Sequence, residues 1–199
     1  MQHIRPKTTE WFTYFPEDYR WSAAIGGMLG LAVVGASDMG EIDRTARKLK
    51  NKLGDDEAWF FTWQELGDEL KQKADDCRNR GHTISASVFY LRASCYYQWG
   101  ERFRTVKDDH ALNVYRKSVE CFHEHAQLSI SPKIEIVEVP YEGNFLPGYF
   151  VHAENTKKSK NPIMIFFDGL DITKELQYAR GVPELIKRGF SCLVMDGPG

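Results

Sequence analysis

The sequence contains no apolar run of about 18 residues, the least that crosses a bilayer as a helix. The longest, Ala23 to Ala36, is 14 residues and rich in glycine. It reads as a buried helix in which Gly26, Gly27 and Gly30 admit a close neighbour, so no membrane partner is expected. Charge of either sign is not in excess. Lys and Arg number 26 against 28 Asp and Glu, a formal net charge of −2. The balance holds at 18 against 19 up to residue 130 and 8 against 9 after it, which removes the electrostatic basis for binding nucleic acid. Cys77, Cys95, Cys121 and Cys192 follow no metal-ligand spacing, and a chain this long needs no disulfide staples. Four reduced thiols in a cytoplasmic protein are expected. Arg5 and Lys7 are followed by no apolar core, so the start does not read as a secretory signal. Gly-x-Gly-x-x-Gly and the P-loop are absent, and no cofactor is expected. Gly-x-Ser-x-Gly, which seats a nucleophilic serine on a sharp turn, is absent too. Gly35-Ala-Ser37-Asp-Met-Gly40 carries an extra residue and follows a helical run, so Ser37 and Asp38 read as a helix cap.

What is present is ordinary for a globular chain, 42% hydrophobic and 27% charged, but its periodicity changes along the length. Residues 1–130 carry helical spacing. Pro16-Glu17-Asp18 opens one helix. Ile42, Ala46, Leu49 and Leu53 mark a second that Gly54 ends. Trp59, Phe60, Trp63, Leu66 and Leu70 give the apolar face of a third. A fourth spans about Thr83 to Phe103 and a fifth about Asp108 to Ala126. Phe89, Tyr96 and Phe103 recur every seven residues, as do Ala86, Ala93 and Gly100, which is core packing between helices. Tyr90 and Tyr97 lie beside that stripe, and a buried phenol needs a partner for its hydroxyl. They are candidate substrate contacts. His123 and His125 are two apart, a poor metal pair, and read as partly solvated.

From residue 131 to 199 the pattern is that of strands. Lys133 to Val139 alternates, Pro140-Tyr-Glu-Gly-Asn144 turns, and Phe145 to His152 extends again, giving an antiparallel pair. Pro162 to Phe167 is an apolar run expected to be a buried strand. Thr173 to Arg188 is an amphipathic crossover helix, and Phe190 to Met195 a further strand. The order β-β-β-α-β is that of the first part of an α/β-hydrolase. The fold class is therefore α/β, an all-helical cap over residues 1–130 followed by the first strands of a hydrolase sheet over 131–199. Cys192 to Met195 is expected to form an unpaired apolar edge. In this fold one oxyanion donor comes from the loop after the third strand. Asp168-Gly169-Leu170 occupies that place, with Gly169 turning the chain and the Leu170 backbone N–H as donor. The alternative is a plain strand-to-helix turn capped by Asp171 or Thr173.

Ile163 to Glu175, followed by Val194-Met-Asp-Gly-Pro-Gly199, resembles the hydrolases typified by 2,6-dihydroxypseudooxynicotine hydrolase. Fungal polyketide-shortening hydrolases and the fermentation–respiration-switch proteins are looser relatives. Tyr90 to Phe103 is similar to the long helix of that family's N-terminal cap. The resemblance implies a serine hydrolase with a Ser-Asp-His triad, acting on esters or on carbon–carbon bonds next to a ketone. The small-molecule ester or ketone would be its partner, and a homodimer is compatible with it. Asp168 stands where many members carry His or Gly, and is a further candidate substrate contact. Nucleophile, acid and histidine would lie beyond residue 199, leaving residues 1–199 inactive alone. The competing reading is a helical interaction module that works by binding.

Overall fold

A computed structural model describes residues 13–156, 160–167, 169 and 171–198. Five helices form the first part: α1 (Tyr19–Gly30, continued by a 3-10 turn over Leu31–Val34), α2 (Met39–Arg47), α3 (Asp56–Asn79), α4 (Thr83–Glu101) and α5 (Asp109–Leu128). Aspartate starts four of them. Asp18, Asp38, Asp55 and Asp108 each hold extended backbone and accept a first-turn amide, from Trp21, from Gly40 and Glu41, from Ala58 and from Ala111 respectively. Each such cap contributes about 1 kcal/mol by satisfying an amide that no helical carbonyl can reach. Helix α2 ends before the Leu53 expected from spacing: Leu49 is buried, whereas Leu53 is 37% exposed beyond the last turn.

Aromatic side chains fill the helical core. Trp21, Trp59 and Trp63 are fully buried, and the Trp59 ring meets Trp21 at 4.9 Å and Phe103 at 5.2 Å. Helices α3 and α4 approach closely because Gly67 lacks a side chain: a Cβ there would lie 2.5 Å from the Tyr97 ring. Among the three glycines of α1 only Gly27 works this way, against Trp99; added Cβ atoms at Gly26 and Gly30 would meet open space.

Strands β1 (Ile134–Tyr141), β2 (Asn144–Val151), β3 (Ile163–Phe167) and β4 (Ser191–Met195), with helix α6 (Lys174–Ile186), complete the chain. The β1–β2 hairpin closes through Glu142 and Gly143, both at positive φ (45° and 80°), the geometry that matches strand twist in a two-residue turn. Pro140 is tolerated because β1 is an edge.

The sheet order is β1-β2-β4-β3, and this corrects two expectations. Strand β4 is not an unpaired edge. It pairs antiparallel with β2 (Tyr149 opposite Val194) and parallel with β3 (Ile165 opposite Leu193). Cys192 and Val194 are buried, as suits a central strand with both faces covered. Of the two parallel strands it is β3, expected to be buried, that lies at an edge. Ile163, Ile165 and Phe167 are 50%, 49% and 62% exposed, because no described element covers this strand's outer side. Helix α5 packs on the sheet through Phe122, whose ring lies 4.3 Å from Tyr149 of β2 and 5.1 Å from Tyr178 of α6. One apolar core therefore runs from Trp21 to Val194. Among the described residues, no helix is long and apolar enough to cross a membrane.

Candidate functional site

Parallel strands β3 and β4 send their C-terminal ends to the same side of the sheet, where open α/β sheets bind ligands. The turn after Phe167 and the segment after Met195 meet there, at the start of α6. Thr173 has the extended backbone of a cap, yet its side chain makes no capping bond. Asp196 does that work from the end of the neighbouring strand: its Oδ1 accepts the Lys174 amide at 2.7 Å. A carboxylate at the positive end of the helix dipole is favourably placed.

Behind this cap is a buried polar cluster. Lys174 Nζ donates to Asp196 Oδ2 at 2.5 Å and pairs with Glu175 Oε1 at 3.0 Å. Tyr149 Oη donates to Glu175 Oε1 at 2.6 Å, and Gln98 Nε2 to Glu175 Oε2 at 2.9 Å. Lys174 is 3% exposed and Glu175 fully buried. Burial works against both charges, yet Glu175 and Asp196 raise the Lys174 ammonium above its ordinary value. Lys174, Tyr149 and Thr173 likewise hold Glu175 below its own. At Asp196 burial outweighs Lys174 and the carboxyl is raised. One cation thus serves two carboxylates, and hydrogen bonds satisfy the remaining oxygens, the condition under which buried charge is tolerated.

The cluster escaped the sequence reading because Lys174-Glu175 at a helix start reads as solvated. A signal was present. Glu175 lies one turn before Ala179 and two before Val182, on the buried stripe of α6, so its charge had to find partners inside.

In front of the cluster lies a cavity of about 510 Å³, lined by Gln98, Arg102, Tyr115, Gly169, Asp171 and Thr173 among others. Helix α4 reaches into it with its last turn. Arg102 donates to the carbonyl and carboxylate of Asp171, each at 3.2 Å, while its guanidinium lies 5.3 Å from the Trp99 ring. Thr173 Oγ1 donates to Gln98 Oε1. The turn is thereby held from the helical side, and the Ile172 amide closes it weakly onto Gly169 O at 3.4 Å.

Of the residues singled out by sequence, Gly169 lines this cavity, whereas Asp168 and Leu170 lie outside the described residues. A Cβ at Gly169 would meet nothing within 4 Å, so packing does not require glycine there. Tyr90 and Tyr97 are not among the lining residues. Their hydroxyls turn toward α3 and donate to Asp75 at 2.5 Å and Asp68 at 2.7 Å. The phenol at the junction is Tyr115 of α5, which periodicity did not single out. His125 corrects another expectation: it is 7% exposed, with Nδ1 3.0 Å from the Ser87 carbonyl, and burial lowers its pKa to about 4. Ser37 is buried with its hydroxyl on the Met28 carbonyl at 2.6 Å, and Asp38 caps α2.

No protein-family model matches the chain. Individual proteins do. A Fusarium hydrolase, LUC6, is 30% identical over 177 residues, 86% of this chain and 42% of that protein. The alpha/beta hydrolase xenA of Xenoacremonium sinensis is 29% identical over 194 residues, covering 94% and 44%. The 20-hydroxy-prefusarin hydrolase of Gibberella moniliformis is 27% identical over 177 residues, covering 86% and 42%. The crystal structure of 2,6-dihydroxy-pseudo-oxynicotine hydrolase superposes with a TM-score of 0.67 at 23% identity, over 85% of this chain and 45% of that one. The helical region, the mixed four-stranded sheet and these likenesses give the chain the α/β-hydrolase fold, and it spans less than half the length of the curated relatives it matches.

Proposed function

We propose that this chain belongs to a serine-dependent hydrolase that cleaves an ester or a carbon–carbon bond next to a ketone. Helices α1–α5 would cover the substrate, and the turn after β3 would supply one oxyanion donor, the Leu170 N–H. The observation that carries the reading is the cavity itself. It lies at the C-terminal end of the parallel pair, with the helical region on one side and the Gly169–Thr173 turn on the other. Backbone N–H groups aimed at such a space stabilise charge that develops in an acyl-transfer transition state. The nucleophile, acid and histidine would come from a further segment of the protein, since these residues hold no Gly-x-Ser-x-Gly. A helical module working by binding alone is disfavoured by the burial of Gln98 against Glu175, which joins α4 to α6.

The test uses the full-length protein. A serine-directed fluorophosphonate is expected to label one serine, with loss of esterase turnover. Absence of both labelling and turnover would overturn the reading. Within the active enzyme, Leu170→Ala should cost little, because the donor is backbone. Gly169→Val, by restricting the turn, should lower kcat by about 10²–10³ with KM less affected. A folded Gly169→Val enzyme with normal kcat would place the donor elsewhere.

A further inference from the structure

Most buried phenols of this chain are already engaged. Tyr90, Tyr96, Tyr97 and Tyr149 donate to Asp75, Glu41, Asp68 and Glu175 at 2.5, 3.0, 2.7 and 2.6 Å. Tyr115 differs. It is half-buried on α5, it lines the cavity, and among the described residues no carboxylate or carbonyl accepts its hydroxyl proton. The charged groups around its hydroxyl are the Lys174 ammonium and the two carboxylates that lock it, Asp196 and Glu175. An ammonium cannot accept a proton, so the phenol's donor capacity is left for whatever enters the cavity. The cation also strengthens that donor by drawing charge from the phenol oxygen.

We propose that Tyr115 is the residue through which the helical region recognises substrate, donating a hydrogen bond to a carbonyl oxygen of an acyl or aryl-ketone compound seated against the turn after β3. This rests on the hydrolase reading for its location but not for its test. Tyr115 and the turn residues Gly169, Asp171, Ile172 and Thr173 line one and the same cavity. Burial keeps the phenol protonated at neutral pH, with Lys174 opposing that shift only in part. Lys174 acts here as a positioning residue, since its charge bears on the phenol while its own side chain is not among those lining the cavity.

The experiment is a binding comparison on the full-length protein. The probes are 4-nitroacetophenone and its carbonyl-free isostere 1-ethyl-4-nitrobenzene, titrated calorimetrically into wild type and Tyr115→Phe. Wild type should prefer the ketone. Tyr115→Phe keeps the ring, so its affinity for the isostere should be unchanged while ketone affinity falls by about three- to tenfold, the worth of one neutral hydrogen bond. Equal ketone binding by the two proteins overturns the proposal, as does failure of wild type to prefer the ketone. A merely structural role for Tyr115 would weaken both probes alike and lower the thermal midpoint, which also overturns it. Fluorophosphonate labelling is read separately: intact labelling without ketone discrimination refutes the role of Tyr115 alone, whereas absent labelling and turnover refute the hydrolase reading whatever the ketone does.

Discussion

His125 shows how one residue couples burial to pH. Its Nδ1 lies against the Ser87 carbonyl, and its Nε2 is buried with no hydrogen-bond partner among the described residues. Burial drops its pKa to about 4 from the ordinary 6.5, so between those values the unfolded chain binds a proton that the folded chain refuses. Stability therefore rises with pH through that window and is lost as pH falls from 6.5 toward 4. Integrated over the window, the loss is about 3 kcal/mol at most. Urea titrations of wild type and His125→Asn at pH 7 and pH 4 check this. The wild type should lose more stability than the variant by an amount approaching that figure. Parallel losses would mean that His125 stays uncharged or opens freely to water. His123, half-buried against the Tyr149 ring, also has its pKa lowered by burial, and the difference between the two proteins removes its contribution.

At the scale of elements, the decisive feature is the exchange of roles between β3 and β4. Both are short apolar runs, and a run of that kind carries no mark of which neighbours it will have. Strand β4 takes the centre because it pairs on both sides, and Gly148 of β2 eases the approach: a Cβ there would lie 3.1 Å from the Val194 carbonyl. Strand β3 is left with an open edge and apolar side chains at 40–62% exposure for Ile163, Met164, Ile165 and Phe167. Such an edge pairs with another chain unless something covers it. A polypeptide of residues 1–199 is thus expected to self-associate through β3. Ile165→Lys, the charge that natural edges use, should shift it toward monomer in sedimentation velocity. If the unsubstituted polypeptide sediments as a monomer at high concentration, the β3 edge is protected. If Ile165→Lys associates unchanged, association runs through another surface.

Across the whole molecule, the helices and the sheet are joined by the Lys174 cluster. Gln98 of α4, Tyr149 of β2, Glu175 of α6 and Asp196 after β4 all converge on it within one hydrogen-bonded network. Removing the cation leaves two carboxylates facing each other in the interior. Lys174→Met should accordingly destabilise the fold by about 3–5 kcal/mol, the cost of breaking a buried pair from one side. Because the aromatic core is continuous from α1 to β4, helical and tertiary signals should be lost together. Coincident far- and near-ultraviolet melting curves with a large drop in midpoint would bear this out. A Lys174→Met protein with an unchanged midpoint would show that the pair contributes no net stability. Two separated transitions would show that helices and sheet unfold independently.

The sequence by itself determined where the helices and strands lie and in what order they come. Those features follow from local physics: apolar residues every third or fourth position, Asp at four helix starts, and Glu142-Gly143 at a tight hairpin. It also placed the turn after β3 at the end of a strand, and Gly169 of that turn lines the cavity. Only the tertiary structure decided which strand became the edge, that His125 is buried, and that Tyr115 rather than Tyr97 or Tyr90 lines the cavity. Each of these depends on what a residue meets across a long gap in sequence. Tyr97 finds Asp68 on α3, Gln98 finds Glu175 on α6, and Asp196 finds the first amide of a helix that begins 22 residues earlier. Periodicity tells which face of an element is buried; it carries no information about which partner, apolar or charged, will be waiting on the other side.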